Sequence, residues 1–292
     1  PWRPSRLRWV MQDLAGVARQ LEKDHRTHLR ATLEWVCRAQ DACRKTGSGL
    51  VAAGWSFESG WLPASEDATG WLIETLLPAA RYLDWPNLSD RAQAMLDALL
   101  AQPDQGAAGR IHGLVAGHVQ LGLTESLARA VSSAHLLAAM PLTSPLQQAR
   151  AAHALAAAAT VSGDTGLLTA SRKFLQATLA QQTPCGWFPE SELPVTTSVL
   201  SGIFRSLVES ARLLDDADTL RAAHRIAHGL RRQLKSEGSL AGAFDDGWMP
   251  AASHVCVTGL AQLAACWLRL GQIAQKDGWR EPAWRALDWI KR

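Results

Sequence analysis

The stretch GWLPASEDATGWLIETLL (residues 60–77) opens on a Gly-Trp pair, passes Pro63, Glu66 and Asp67, and runs into an apolar segment with Gly70 near its start. The same order returns in GWFPESELPVTTSVLSGIFRSLVE (186–209) and in DGWMPAASHVCVTGLAQLAACWLRL (246–270). Each has a Gly-Trp loop, a Pro with acidic or hydroxyl residues, then an apolar helix with a small residue and Gly near its start. A unit that recurs along a chain marks a repeat architecture. Loops that precede equivalent helices gather at one end of a closed repeat ring, where Trp and carboxylates would face a common space.

Outward from these units, nearly every periodic segment reads as helix. Ala and Leu are abundant, and apolar residues recur at three- and four-residue spacing. The spacing predicts helices near 6–21, 27–45, 67–84, 89–102, 111–123, 125–140, 145–162, 165–182, 196–214, 217–235, 254–274 and 280–291. Ser89, Ser144 before Pro145, Asp164 and Asp215 or Asp216 stand at N-cap positions, and Gly163, Pro103 and Gly238 mark stops. Segments that are small and apolar nearly all round, such as RAAHALAAAA (150–159), alternate with amphipathic ones such as SRKFLQATLAQQ (171–182). The first kind is buried and the second covers it. The expected architecture is therefore all-α, built of helical hairpins whose second helices line a ring. No composition break divides residues 1–292, so a single domain is expected, with residues 1–45 completing or flanking the ring.

Composition narrows the function. The formal charge of +3 comes from 30 basic and 27 acidic residues, without the Lys/Arg run that a nucleic-acid surface needs. No apolar run approaches the length of a membrane span. The cysteines Cys37, Cys43, Cys185, Cys256 and Cys266 are dispersed and form no CxxC pair, which fits reduced thiols and a cytoplasmic location. The chain begins at Pro1 rather than Met, which leaves room for a removed leading segment. Trp outnumbers Phe and Tyr, 13 against 5 and 1, and Trp collects at core edges and binding surfaces.

With these segments in hand, the chain resembles the α/α-toroid superfamily of terpenoid cyclases and protein prenyltransferases. More narrowly it resembles Vps-type toroid proteins of bacterial exopolysaccharide biosynthesis. The residues that carry the likeness are 60–77, RIHGLVAGHVQLGL (110–123), 150–159, 194–209 and 254–270. The resemblance implies an α/α toroid and a role in surface-polysaccharide biosynthesis, with an oligosaccharide or polysaccharide precursor and a biosynthetic complex as partners. The cyclases' D-x-D-D acid is missing: LDDAD (214–218) lies between two helices, and FDDGW (244–248) lacks the spacing. The prenyltransferase zinc set and the thiol ligands of lanthionine cyclases do not follow either. No cofactor and no metal are expected.

The candidate chemistry sits on the recurring loops. Glu58, Glu66, Asp67, Glu190, Glu192, Asp245 and Asp246 all lie in loops or at helix starts. Two carboxylates across a groove could serve glycoside hydrolysis; an acid before a helix can equally be a cap and dipole partner. His254 follows the Asp245–Trp248 loop and is the candidate base of a lyase. His112, His118 and His153 fall on buried helices and read equally well as core residues. His224 and His228 have metal-ligand spacing but lie on a basic helix and read as solvent-facing. Asp245, His254 and Cys256 have zinc chemistry, yet two residues on a helix diverge by about 200°. The expected acid–base set is thus Glu66, Asp67, Glu190, Asp245 and His254, with Trp61, Trp187 and Trp248 as stacking surfaces for sugar rings. The expected function is carbohydrate binding or processing, as a hydrolase or lyase. An isoprenoid-handling, cyclase-like enzyme and a non-catalytic scaffold are the alternatives.

Overall fold

The computed structural model describes residues 7–8, 11–12, 15, 24–45, 47–190, 193–275 and 277–291. The expected first helix, 6–21, falls mostly outside them, as does Glu192. The described helices are α1 (His25–Arg44), α2 (Glu66–Leu83), α3 (Asn87–Leu100), α4 (Ala108–Leu121), α5 (Thr124–Ala138), α6 (Pro145–Ser162), α7 (Thr165–Ala180), α8 (Thr197–Leu214), α9 (Ala217–Gln233), α10 (Val257–Ala274) and α11 (Arg280–Lys291). Short strands, absent from the helical reading, occupy the loops: β1 (Val51–Ala52), β2 (Trp55–Ser56), β3 (Gly60–Trp61), β4 (Ala64–Ser65), β5 (Val195–Thr196), β6 (Ala243–Asp245) and β7 (Met249–Pro250).

Local chemistry sets the helix ends. Ser65, Ser144, Asp164, Thr196 and Asp216 each accept a backbone N–H of the following turn. LDDAD is a helix–helix turn: Asp215 closes α8 at φ 50° and Asp216 caps α9. Two starts differ from expectation. Helix α3 begins at Asn87 rather than Ser89, because Pro86 holds a helical φ of −56° before it. Helix α10 begins at Val257 rather than 254, because the His254 carbonyl accepts the Gly242 N–H at 2.7 Å and is held in the loop pairing.

The chain divides into two compact units, one running to Leu137 and including Lys291, the other spanning Ala138–Ile290. In the first, α2 packs on α3 and α4, while β1 pairs with β4 and β2 with β3, all antiparallel. Glycine lets α2 and α4 meet backbone to backbone. A methyl on Gly70 would collide with the Gly109 carbonyl, and one on Gly113 would stand 2.6 Å from the Gly70 Cα. In the second unit, α6 packs on α7 and α8, and α8 packs on α9 and α10. Residues 151–159 of α6 are all buried, as an all-round apolar helix should be. Gly259 of α10 repeats the close approach: a Cβ there would lie 2.6 Å from the Ser198 nitrogen of α8. Strands β5, β6 and β7 form one antiparallel sheet that ties the 186–196 and 243–254 loops together. His228 is exposed and His224 half-buried, but both rings lie against the buried Trp279 indole, at 4.8 and 5.8 Å.

Candidate functional site

In the first unit the loop before α2 and the first turns of α2 and α4 bring chemistry together. Asp67 is half-buried, and its Oδ1 accepts the Gly109 N–H at 2.7 Å, so one carboxylate oxygen is fixed by the start of α4. One turn on, Trp71 stacks on His112 of α4, with ring centroids 4.3 Å apart and planes 29° from parallel. His112 is buried, whereas Trp71 keeps part of its indole accessible. The Gly70/Gly109 contact is what allows this: with no side chains between the helices, the rings of α2 and α4 reach one another.

Glu66 has a different task. Its carboxylate meets the Arg110 guanidinium at 2.5 Å and accepts from Gln105. Arg110 is fully buried and also bonds Ser133, Asp104 and the Gln102 carbonyl. A buried guanidinium needs a counter-charge, so Glu66 is committed to the fold and is corrected here from acid–base candidate to ion-pair partner.

Ahead of α2 lies a tight hairpin. Trp55 on β2 and Trp61 on β3 are cross-strand partners, Trp61 lies 5.1 Å from Trp35 of α1, and Trp55 lies 4.8 Å from Phe57. Trp61 is half-buried, while Trp35 and Phe57 are 43% and 41% exposed. Trp61 is thus where a stacking surface was expected, with three further rings beside it.

In the second unit the expected residues part company. Trp187 and Trp248 are only 1% and 4% exposed and pack edge to face at 5.1 Å. The Trp248 indole N–H donates to the Cys185 carbonyl, and its ring covers Gly229. Neither is a stacking platform. Both are core, because the loops fold inward over α9, and an indole supplies apolar area together with a donor that finds its partner. Glu190 accepts from the Ser144 hydroxyl at 3.0 Å and the Leu146 N–H at 3.1 Å, so its carboxylate sits on the N-terminus of α6. It also lines a cavity of about 190 Å³ with Ser144, Val195, Thr196 and Val199. Asp245 and His254 are exposed; β6 carries Asp245, and the His254 ring lies against Gly242 just before it. Cys256 caps the backbone ahead of α10, so His254 and Cys256 precede the helix instead of diverging on it. Among the described residues no three His, Cys, Asp or Glu side chains are grouped for a metal ion.

Deeper in the second unit, Glu209 of α8 bonds Arg269 of α10 at 2.7 Å and Arg212 at 2.9 Å. Burial works to raise its pKa, but Arg269 and Arg212 outweigh burial and hold it below the ordinary carboxylate value. His153 of α6 is held far down, to about 3, by burial and then by Arg205 and Arg212. A histidine kept neutral so firmly is not a base poised near pH 7. The Cys266 thiol is pushed up to about 12 by burial.

Sequence reasoning passed over Trp71 as a site residue and named His112 as a core candidate. The signal was present in the second Gly-Trp pair of the opening stretch, four residues after Asp67, a spacing that puts both on one helix face.

No protein-family profile matches the chain, and no curated protein is similar in sequence. Solved structures do match. An unsaturated glucuronyl hydrolase specific for heparin superposes with a TM-score of 0.69 at 12% identity, over 84% of this chain and 78% of that one. The unsaturated glucuronyl hydrolase of Streptococcus agalactiae gives 0.68 at 11% identity, over 94% and 81%. The cellobiose 2-epimerase of Bacillus thermoamylovorans gives 0.65 at 10% identity, over 78% and 76%. The fold class is therefore that of the α/α-toroid enzymes. No helix among the described residues is long and apolar enough to cross a membrane.

Proposed function

We propose that the protein binds and processes a carbohydrate, by hydrolase or lyase chemistry, with Asp67 as its acid–base group. The observation that carries this reading is the Asp67 carboxylate one turn from the Trp71–His112 stack. Sugar rings present a flat C–H face and a hydroxyl edge. An indole held in one plane takes the face, and a carboxylate beside it takes the edge or moves a proton. The stack holds the indole, and the Gly109 N–H holds the carboxylate. That several structural neighbours act on glycans supports the substrate class. Asp245 and His254, exposed in the loops of the second unit, are the remaining polar candidates. The resemblance to exopolysaccharide proteins supports a place in surface-polysaccharide biosynthesis, in the cytoplasm and alongside other proteins of that process.

The test is Asp67→Asn. Asn keeps the oxygen that accepts the Gly109 N–H, so the fold should persist while proton transfer is lost. Turnover on lyase-digested heparin or on cello-oligosaccharides should fall about 10²–10⁴-fold. With unsaturated uronyl substrates the ultraviolet absorbance reads the chemistry: a hydrolase of that sugar removes it and a lyase creates it. Full activity in Asp67→Asn would remove Asp67 from the mechanism.

A further inference from the structure

We infer that the aromatic row Trp35–Trp61–Trp55–Phe57 is a platform for a saccharide chain, so that the ligand is an oligomer or polymer and not a single sugar. The inference rests on the carbohydrate reading and extends it to ligand length.

The row is built by backbone geometry. Strands β2 and β3 pair Trp55 with Trp61, and side chains of such cross-strand partners stand together on one face. Phe57, two residues after Trp55, meets it edge to face at 76°, and Trp35 reaches Trp61 from α1 at 51°. The four rings run without interruption from a helix surface to a hairpin tip. The two end members stay open to solvent at 43% and 41%. Leaving large rings in water is unfavourable, and a contiguous exposed aromatic patch marks a binding surface.

The occupant follows from area, chemistry and position. Four part-exposed rings offer on the order of 300 Å² of apolar surface, well below the roughly 800 Å² per partner of a stable protein interface. A narrow row of tilted rings suits a narrow, stepwise ligand whose units each present an apolar face. Hydrogen-bonding groups lie alongside: Ser56, whose hydroxyl accepts the Glu58 and Ser59 N–H groups, and the Glu58 and Ser59 side chains at the tip. From Trp61 the chain runs through Pro63 and β4 straight to Asp67. A glycan seated on the row thus has its next units beside the proposed acid–base group.

The experiment is calorimetric titration with two length pairs, cellobiose against cellohexaose and a heparin disaccharide against a heparin hexasaccharide. It uses the full chain, Trp35→Ala/Phe57→Ala and Asp67→Asn. Trp35 and Phe57 are exposed, so their truncation should leave the circular dichroism spectrum and melting temperature unchanged. In the wild type at least one hexasaccharide should bind roughly tenfold more tightly than its disaccharide, and the double variant should lose that advantage while keeping disaccharide affinity. Equal affinity for long and short ligands, no binding of either hexasaccharide, or an unaltered length advantage in the double variant would overturn the platform. So would a dimer in sedimentation that the double variant abolishes with saccharide affinity unchanged, since the row would then be a contact between copies. The Asp67 reading fails separately: Asp67→Asn would keep full turnover whether or not the length advantage is present.

Discussion

At the residue scale, His153 predicts an acid limb of stability. Its folded pKa of about 3 lies below the ordinary 6.5 because burial, then Arg205 and Arg212, disfavour the imidazolium. The unfolded chain therefore binds a proton that the native state refuses between those values. The contribution is complete above pH 6.5 and is lost as pH falls toward 3, by up to about 1.4 kcal/mol per pH unit. Replacing His153 with Gln should flatten that dependence, read as urea midpoints at pH 7, 5.5 and 4.5; parallel curves for variant and wild type would refute it. The cysteines give a second expectation. The exposed Cys185 thiol is lowered chiefly by its hydrogen bond with the Thr183 hydroxyl, at 3.2 Å, whereas Cys266 is buried and raised to about 12. Thiolates are the reactive form, so limited alkylation followed by peptide mapping should mark Cys185 first and spare Cys266. Thr183→Val should slow the reaction at Cys185. Labelling of Cys266 at a comparable rate would show the helix packing to be wrong.

At the scale of elements, the glycine contacts and one ion pair hold helices together. Gly259→Leu would drive a side chain into the Ser198 and Thr197 backbone of α8, and overpacking of this kind costs roughly 1–3 kcal/mol or more. An unchanged denaturation midpoint would mean that α8 and α10 do not meet there. Glu66→Ala would strip a counter-charge from the buried Arg110 and should cost about 3 kcal/mol. Glu66→Gln keeps an acceptor for the guanidinium and should cost less. If Glu66 were instead catalytic, Gln would abolish turnover at unchanged stability, so the two variants together decide its role. Trp187→Ala, at 1% exposure, should act as a core truncation of about 3–5 kcal/mol rather than as the loss of a sugar contact.

At the scale of the whole molecule, the fold class and the ligand class are linked by binding. A ligand that prefers the native state raises stability by about 2.7 kcal/mol at a hundredfold excess over its Kd. Heparin or cello-oligosaccharides should therefore raise the melting temperature, and the rise should saturate with concentration. A response to prenyl diphosphate with none to saccharide would favour the isoprenoid-handling alternative over the carbohydrate reading.

Sequence alone carried the helices, their order and most of their ends, because apolar periodicity, caps at Ser144, Asp164 and Asp216, and stops such as Gly163 are local properties of the chain. It also carried the close helix contacts, since Gly70, Gly202 and Gly259 at equivalent places announce backbones in near contact, and a Gly202 Cβ would stand 2.9 Å from Leu146. What it could not carry was the direction of side chains in the loops. Trp61, Trp187 and Trp248 share one motif, yet Trp61 remains half-open while the other two are core. The difference depends on whether the loop pairs outward as the β2–β3 hairpin or folds inward through the β5–β6–β7 sheet. Glu66 and Asp67 are likewise adjacent and chemically alike in sequence. Tertiary structure gave one to the buried Arg110, brought in from α4, and left the other beside the Trp71–His112 stack. Partners so distant along the chain are fixed only when helices pack, because burial and counter-charge are properties of the assembled core.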